Sequence, residues 1–374
     1  MIKILHTADL HLGREFKFLS EFGKELRETV KNTFSNIIEL AIEKEIDLLL
    51  ISGDLFDSNK VSSDLLGYVI DNFKKLKGIT VCIIPGTHDC YDSSSVYRRD
   101  EFIHNLGNVS ILKDPKPTTK IFKELDIAVH SKANITNFGS ESPLKGLKPS
   151  KETALNIALA HGSIKIEGKY NPNEYIINQK EIENSGMDYI ALGHWHKCAE
   201  YSLGKTKAWY SGSPETLQFE DRDKSGFVLL IELDKKICNI EKIKTGKYDW
   251  KEINIDTSVY PTADSLKKKI LDYQGKDKIV RFHLKGLVGL DNSIDFFELE
   301  NELNNNFAFL RIDSSKVHSD IPTNVDNLFP AKTIGYNFIQ ILKEEIKKLP
   351  EERKGIYDEA LRKGVALLLG KLKL

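Results

Sequence analysis

Five apolar runs of strand length in this chain each end in a short fragment rich in aspartate, histidine and glycine. Asp9-Leu10-His11 follows the run Ile2 to Thr7. Gly53-Asp54-Leu55-Phe56-Asp57 follows DLLLIS (47–52), and Gly86-Thr87-His88-Asp89 follows ITVCIIP (79–85). His161-Gly162 ends LNIALAHG (155–162), and Gly193-His194-Trp195-His196 ends DYIALGHWH (188–196). Five of the ten histidines fall in these fragments. In layered α/β sheets, ligand-binding side chains gather beyond the carboxyl ends of the strands, so the fold must bring these strand ends together. Asp9 and His11 are two apart and face one side of extended chain, as do His194 and His196. A single D-x-H or H-x-H arises easily by chance; five such fragments in this order, punctuated by glycine, indicate a metal site. Carboxylate oxygens with imidazole nitrogens suit Mn, Fe or Zn better than Mg alone.

The remaining pattern supplies the scaffold. Val30, Phe34, Ile37, Ile38, Ala41 and Ile42 predict an amphipathic helix over 24–45. A second helix is predicted over 61–77. With the first three runs this gives β-α-β-α-β, a layered α/β domain. Further strands are predicted at 109–112, 126–131, 208–212 and 226–233, with a surface loop from Ser131 to Glu152. The pattern changes near Tyr248. Residues 251–315 read strand, helix, strand, helix, strand. Residues 331–374 read as two helices broken at Pro350, one with the stripe Ile334, Phe338, Ile341, Leu342, the other with Ile356, Ala360, Leu361, Val365, Leu368 and Leu369. The expected division is a domain over 1–248, a small α/β domain over 249–328 and a helical segment over 329–374.

Charge is nearly balanced, 54 Lys+Arg against 55 Asp+Glu in 374 residues. That excludes a polybasic chromatin-type binder and a highly acidic disordered chain, but not a local basic groove. Cys82, Cys90, Cys198 and Cys238 show no CxxC spacing and no disulfide framework. No apolar run approaches the roughly 18 residues needed to span a bilayer, and MIKILHTADLH turns polar too early for a secretory signal. A cytoplasmic protein without membrane contact is expected. There is no GxxxxGK[ST], so any ATP use would come from a partner.

The order D-x-H, GDxxD, GxHD, H-G, GHxH resembles that of the calcineurin-like metallophosphoesterases. LHTADLHLG, GDLFD and YSGSPE (210–215) are similar to the SbcD/YhaO branch of DNA-repair exonucleases. The resemblance implies a four-layer β-sandwich flanked by helices, a small α/β cap and a C-terminal helical segment. It implies two Mn ions, with Mg, Fe or Zn as alternatives. Asp9, His11, Asp54 and His196 would bind one ion, Asp54 would bridge, and His161 and His194 would bind the second. Two cations about 3.5–4 Å apart lower the pKa of a bridging water and neutralise phosphoryl oxygens. His88 would sit beside the scissile phosphate and support the leaving oxygen. Asp57 is the expected orienting partner of His88, and Asp89 a structural group. The family usually has Asn, a second-ion ligand, where this chain has Thr87; either the Thr87 hydroxyl ligates or a water fills the gap, and the second ion is expected to bind more weakly.

The resemblance further implies DNA as substrate, a homodimer, and a coiled-coil ATPase of the SbcC kind docking on residues 331–374, where ten Lys/Arg against six Asp/Glu give net +4. The leading function is a Mn-dependent DNA exonuclease that also cuts single strands or hairpins. The alternatives are a phosphodiesterase of nucleotides or small esters, and a DNA-binding scaffold with a weakened site. Elsewhere, His6 and His130 read as core histidines and Cys90 and Cys198 as packing residues. Trp195 is expected to pack beneath the site. Arg98 and Arg99 either reach a DNA phosphate or begin a solvated helix.

Overall fold

The computed structural model describes residues 1–104, 106–166, 168, 171–260, 262–289, 294–320 and 328–369. Lys371 and Lys373 of the basic tail, and residues 321–327 at the expected second boundary, lie outside the described residues. The chain divides into two compact units, Met1–Tyr248 and Asp249–Leu374.

The first unit runs β1 (Ile2–Thr7), α1 (Phe22–Glu43), β2 (Leu48–Ile51), α2 (Ser63–Phe73), β3 (Thr80–Ile83), α3 (Asp100–His104), β4 (Val109–Ile111), β5 (Thr118–Phe122), β6 (Ile127–Ser131), β7 (Leu155–His161), α4 (Gln179–Glu183), β8 (Tyr189–Gly193), β9 (Ala199–Glu200), β10 (Lys207–Tyr210), β11 (Phe227–Leu233) and β12 (Cys238–Lys244). Two six-stranded mixed sheets form, ordered β12-β11-β1-β2-β3-β4 and β5-β6-β7-β8-β10-β9. In the first, β1 to β4 are mutually parallel and β11 returns antiparallel to β1. In the second, β6, β7, β8 and β10 are parallel. Alternate residues, such as Ile4, Leu48, Leu50 and Cys82 from one sheet and Val129, Ile157, Leu159 and Ala191 from the other, close a single core between them. The opposite faces are equally buried at Leu5, Leu49, Ile51 and Val81. Burial on both faces explains why these strands read as continuous apolar runs.

Three strands escaped the sequence reading. β5, β9 and β12 are partly exposed, polar and at sheet margins, so no apolar run marks them. Ile42 is 45% exposed; twelve residues after Val30 it has rotated about 120° off the buried stripe. Residues 132–152 hold no helix, but Ala133, Asn134 and Leu144 are buried, so the segment is not wholly a surface loop.

The second unit is β13 (Asp249–Asp256), α5 (Ala263–Leu271), β14 (Gly275–Gly289), α6 (Phe296–Asn304) and β15 (Phe307–Asp320), followed by α7 (Ile334–Lys348) and α8 (Glu351–Leu368). Its three strands are parallel in the order β13-β14-β15, and α5 and α6 cover one face through Leu266, Ile270, Leu299 and Leu303. α7 and α8 pair through Ile339, Leu361, Val365 and Ala366. The stripe predicted for α7 holds only in part: Phe338 and Leu342 pack against the seam, but Ile334 is 82% and Ile341 64% exposed, and Ile339 takes the centre. Pairing two helices needs only a narrow seam, and apolar residues beside it stay in water. Among the described residues no helix is long and apolar enough to cross a membrane, and all four cysteines are free.

At the carboxyl edge of the first unit the two sheets pinch together around Ser52. Its carbonyl accepts from His161 Nδ1 at 2.8 Å. Its hydroxyl donates to Ala191 O at 3.1 Å, so it must accept from His6 Nε2, also 3.1 Å away; His6 Nδ1 then accepts from Tyr189 Oη at 2.9 Å. Burial lowers the His6 pKa to about 3, which keeps this bridge between the sheets neutral. A Cβ on Gly193 would fall on the Ser52 carbonyl oxygen. Both groups are backbone, so no rotamer change relieves the clash. Gly193→Ala should lose about 3 kcal/mol of unfolding free energy together with metal affinity; denaturant unfolding within about 0.5 kcal/mol of the parent would refute the close approach.

Candidate metal centre

Every fragment singled out in the sequence lies at this pinched edge. Asp9, His11, Asp54 and His194 all adopt positive φ, 54°, 50°, 50° and 103°, a conformation unusual for non-glycine residues and common where function demands it. The backbone holds them there. Asp9 N donates to Gly53 O at 3.1 Å and His11 N to Asp54 O at 3.0 Å, so the turns after β1 and β2 lie side by side. His194 N donates to both Asp9 carboxylate oxygens at 3.0 and 3.1 Å, and His88 N to Asp54 Oδ1 at 2.8 Å.

Two groups of ligand atoms result, Asp9–His11–His196 and Asp54–His161–His194, each with all its atoms within 4.8 Å of one another. A third, His11–Asp57–His88, shares His11. The Asp54 Oδ2 atom lies 3.8 Å from His11 Nε2 and 3.3 Å from His161 Nε2, between the first two groups.

The hydrogen bonds behind these side chains test whether a cation fits. His11 Nδ1 faces the Asp57 carboxylate at 3.1 Å and His196 Nδ1 the Asp221 carboxylate at 2.8 Å. Carboxylates only accept, so both rings carry a proton on Nδ1 and turn Nε2 forward. Those two Nε2 atoms stand 3.1 Å apart. Two bare nitrogens at that distance would repel; either a proton on His196, whose pKa the Asp221 and Asp9 carboxylates raise against burial, or a cation between the rings relieves this. Two imidazoles on one ion with bonds of roughly 2.0–2.1 Å span nearly this separation. His161, fixed by Ser52 O, likewise presents Nε2. Backing each ligating ring with an acceptor is the arrangement metal sites use to set the tautomer.

The titration of the cluster says the same. Burial raises the Asp9 pKa to about 6 against the pull of His161 and His196. For His161, burial opposes the charge, yet the Asp54 carboxylate overrides it and raises the pKa to about 9. Asp54 is correspondingly held well below the ordinary carboxylate range, burial outweighed by His161. Burial lowers His11 to about 4 and His194 to about 3. Without a cation, a proton on His161 offsets part of the carboxylate charge, chiefly that of Asp54.

Other expectations fare variously. The Thr87 hydroxyl reaches into the cluster, 3.3 Å from Asp54 Oδ2 and 3.4 Å from His161 Nε2. The Asp57 carboxylate serves His11 rather than His88, from whose Nδ1 it lies 4.0 Å away; His88 Nδ1 instead donates to the Asp57 main-chain oxygen at 3.0 Å. Spacing alone could not separate side chain from main chain. Asp89 is structural: it accepts from Gly86 N at 2.7 Å, Phe56 N at 3.2 Å and Tyr97 Oη at 2.6 Å. Trp195 stacks on Tyr210 at 4.9 Å and donates to Ser163, and His6 and His130 are satisfied core histidines. Arg99 is tied to Val61 O and Glu101, which leaves Arg98 as the available one of the pair. Asp221 and Asn134, whose Nδ2 donates to His161 O at 3.0 Å, were missed; neither sits in a motif, and only the fold brings them here.

A profile of calcineurin-like phosphoesterases matches residues 2–198. The chain is 26% identical to the DNA double-strand break repair protein Mre11 of Sulfurisphaera tokodaii, over 90% of this chain and 88% of that protein. It is 24% identical to Mre11 of Sulfolobus acidocaldarius, over 94% and 97%. It is also 24% identical to the uncharacterized metallophosphoesterase YhaO of Bacillus subtilis, over 88% and 85%.

A cation must displace the His161 proton, so affinity should rise with pH up to about 9, and binding at pH 7 should release about one proton from that ring. Calorimetric titration of Mn in buffers of different ionisation enthalpy checks this; a buffer-independent heat contradicts it. The same titration should resolve a weaker second ion that Thr87→Asn tightens.

Proposed function

The chain belongs to the calcineurin-like phosphoesterase family, and on that premise we propose that it is a Mn-dependent DNA nuclease, an exonuclease that also cuts single strands or hairpins. One observation carries the DNA reading: similarity to Mre11 repair proteins continues over about nine-tenths of the chain, through the second unit, far beyond the phosphoesterase profile. In this reading Asp9, His11, Asp54 and His196 hold one ion, and Asp54, His161, His194 and Thr87 the other. Bound there, two Mn ions (or Mg, Fe or Zn) would supply a nucleophilic water at neutral pH and neutralise the phosphoryl oxygens.

The chain's own groups do the rest. Asp57 and Asp221 hold the His11 and His196 rings so that Nε2 faces the ions. His88, its side chain about half exposed at 49%, stands beside His11 with ring centroids 4.6 Å apart. With Nδ1 committed to Asp57 O, its Nε2 is the atom left for substrate. An imidazolium there donates Nε2–H to the oxygen leaving phosphorus. The protein would act in the cytoplasm as a homodimer with an SbcC-like coiled-coil ATPase. The apolar side chains that α7 and α8 leave in water, Ile334, Ile341 and Ile356, suit a partner's helix.

His88→Ala should lower DNA cleavage by about 10²–10⁴ with metal content unchanged. The loss should be smaller on bis-p-nitrophenyl phosphate, whose leaving group needs no proton. Equal losses would remove the acid role from His88; turnover of the small ester with no cleavage of double-stranded or hairpin DNA by the parent would replace the nuclease with a small-ester phosphodiesterase. For the partner, Ile334→Asp with Ile341→Asp should abolish co-purification with such an ATPase and spare nuclease activity; retained co-purification would locate docking elsewhere.

A further inference from the structure

Three loops leave the carboxyl edge of the sandwich beside the metal centre, after β3, β4 and β6, and they are fastened to one another. Tyr91 N donates to Asn134 O at 2.9 Å, Cys90 Sγ lies 3.5 Å from Asn137 Oδ1, and Asn134 in turn holds the strand end that carries His161. Tyr91 is three residues beyond His88, which places its Cα within about 11 Å of that histidine's.

Two features of this rim have no role in the metal centre. One is Phe138, 72% exposed on a backbone that is firmly tied. Thr136 Oγ1 donates to Phe138 O at 2.6 Å, Tyr175 Oη donates to Thr136 O at 2.9 Å, and Gly139 N donates to Asn173 O at 2.9 Å. Gly139 admits no side chain, because a Cβ there would fall in the Tyr175 ring. The aromatic ring is thus held out into water by a fixed loop. The other is a cationic stack on Tyr91: the Arg98 guanidinium lies 4.0 Å and the Lys113 ammonium 5.6 Å from the ring centroid. Arg98 Nε donates to Asp92 O at 2.7 Å, which sets the guanidinium in place and leaves its outer nitrogens. The Asp92 carboxylate is occupied by Ser94 and Asn59. Among the described residues no carboxylate lies within ion-pair distance of Arg98 or Lys113.

We infer that this rim is a binding site for a single-stranded nucleic-acid segment: Phe138 stacks on a base, and Arg98 and Lys113 hold a phosphate of the same strand. A rigid exposed aromatic beside unpaired cations is the pairing that binds single strands without regard to sequence. The inference rests on the nuclease reading and deepens it, because it says how the strand is held while its phosphodiester reaches the centre. The combination fits a strand better than a protein partner, whose contact would bury more apolar surface than one ring.

The test uses the full-length Mn-loaded protein in a His88→Ala background, with a fluorescein-labelled oligothymidylate and anisotropy as readout. Phe138→Ala should weaken binding about tenfold, and Phe138→Tyr should restore it. Arg98→Ala with Lys113→Ala should weaken binding and reduce the slope of log Kd against log salt by about 1.4, a change that a merely structural defect does not produce. In the His88-containing protein, the ratio of DNA cleavage to bis-p-nitrophenyl phosphate hydrolysis should fall with each substitution. Parent-like affinity and salt slope in all variants, with DNA still cleaved, would overturn the rim and leave the nuclease standing. A parent that neither binds nor cleaves DNA would overturn both. Binding to anionic lipid vesicles that depends on Phe138 while DNA binding does not would make the rim a membrane contact and overturn the proposal.

Discussion

The close approach of two sheets at one residue governs this molecule. Ser52 lies where β2 ends, and its carbonyl oxygen meets the His161 ring on one side and the Gly193 backbone on the other. Only glycine at position 193 allows that distance. Because β2 and β7–β8 belong to different sheets, the contact converts a sandwich with an ordinary apolar core into one whose carboxyl edges converge. Asp9, Asp54, His161 and His194 come from four strands in two sheets, and without the convergence they would not share one space. The His6 bridge beneath it acts in the same direction: a neutral, fully paired imidazole ties β1 to β8 where an apolar pair would fix spacing but not register.

Convergence has an electrostatic consequence. It buries carboxylates and imidazoles that would not stay together on their own account. Two Nε2 atoms face each other at 3.1 Å, Asp9 is pushed toward neutrality, and His161 retains a proton far above its ordinary range. Four of the participating residues sit at positive φ. The crowded nitrogens and buried carboxylates would be relieved by positive charge at the same point; the backbone strain is carried by the surrounding hydrogen bonds. The formal charge of −1 describes the chain alone; with the proposed ions bound, the carboxyl edge would be much less anionic, and a phosphodiester could approach the cations of the neighbouring rim.

What was legible in the sequence follows from where side chains lie. The central strands were plain, because burial on both faces leaves an uninterrupted apolar run. The candidate ligand groups were plain too, since chemistry confines such residues to few types and the topology places them at strand ends. Marginal strands such as β5 and β12 carry no such mark. The α7 stripe was only partly right: Phe338 and Leu342 do pack against the seam, but Ile334 and Ile341 lie on a side the structure leaves in water. Asp221 and Asn134 lie in unremarkable turns 25 and 27 residues from the histidines they touch, and nothing local distinguishes them. Asp57 does hold His88, but through its main-chain oxygen; its carboxylate serves His11, a division that only the folded geometry resolves.

Thr87 shows how the centre tolerates its own departure from the family pattern. An asparagine amide oxygen would be a ligand and nothing more. The threonine hydroxyl is instead a donor to Asp54 Oδ2 at 3.3 Å, while the next residue's N–H is bound to Asp54 Oδ1 at 2.8 Å. Both oxygens of the carboxylate between the two ligand groups are thus oriented by consecutive residues of one turn. The substitution removes donor strength from the second ion's surroundings, yet it leaves the orientation of the shared carboxylate to the chain itself. In the proposed two-ion site the cost would fall on how tightly the second ion is held, since Thr87 does not touch the His11 and His196 rings of the first group.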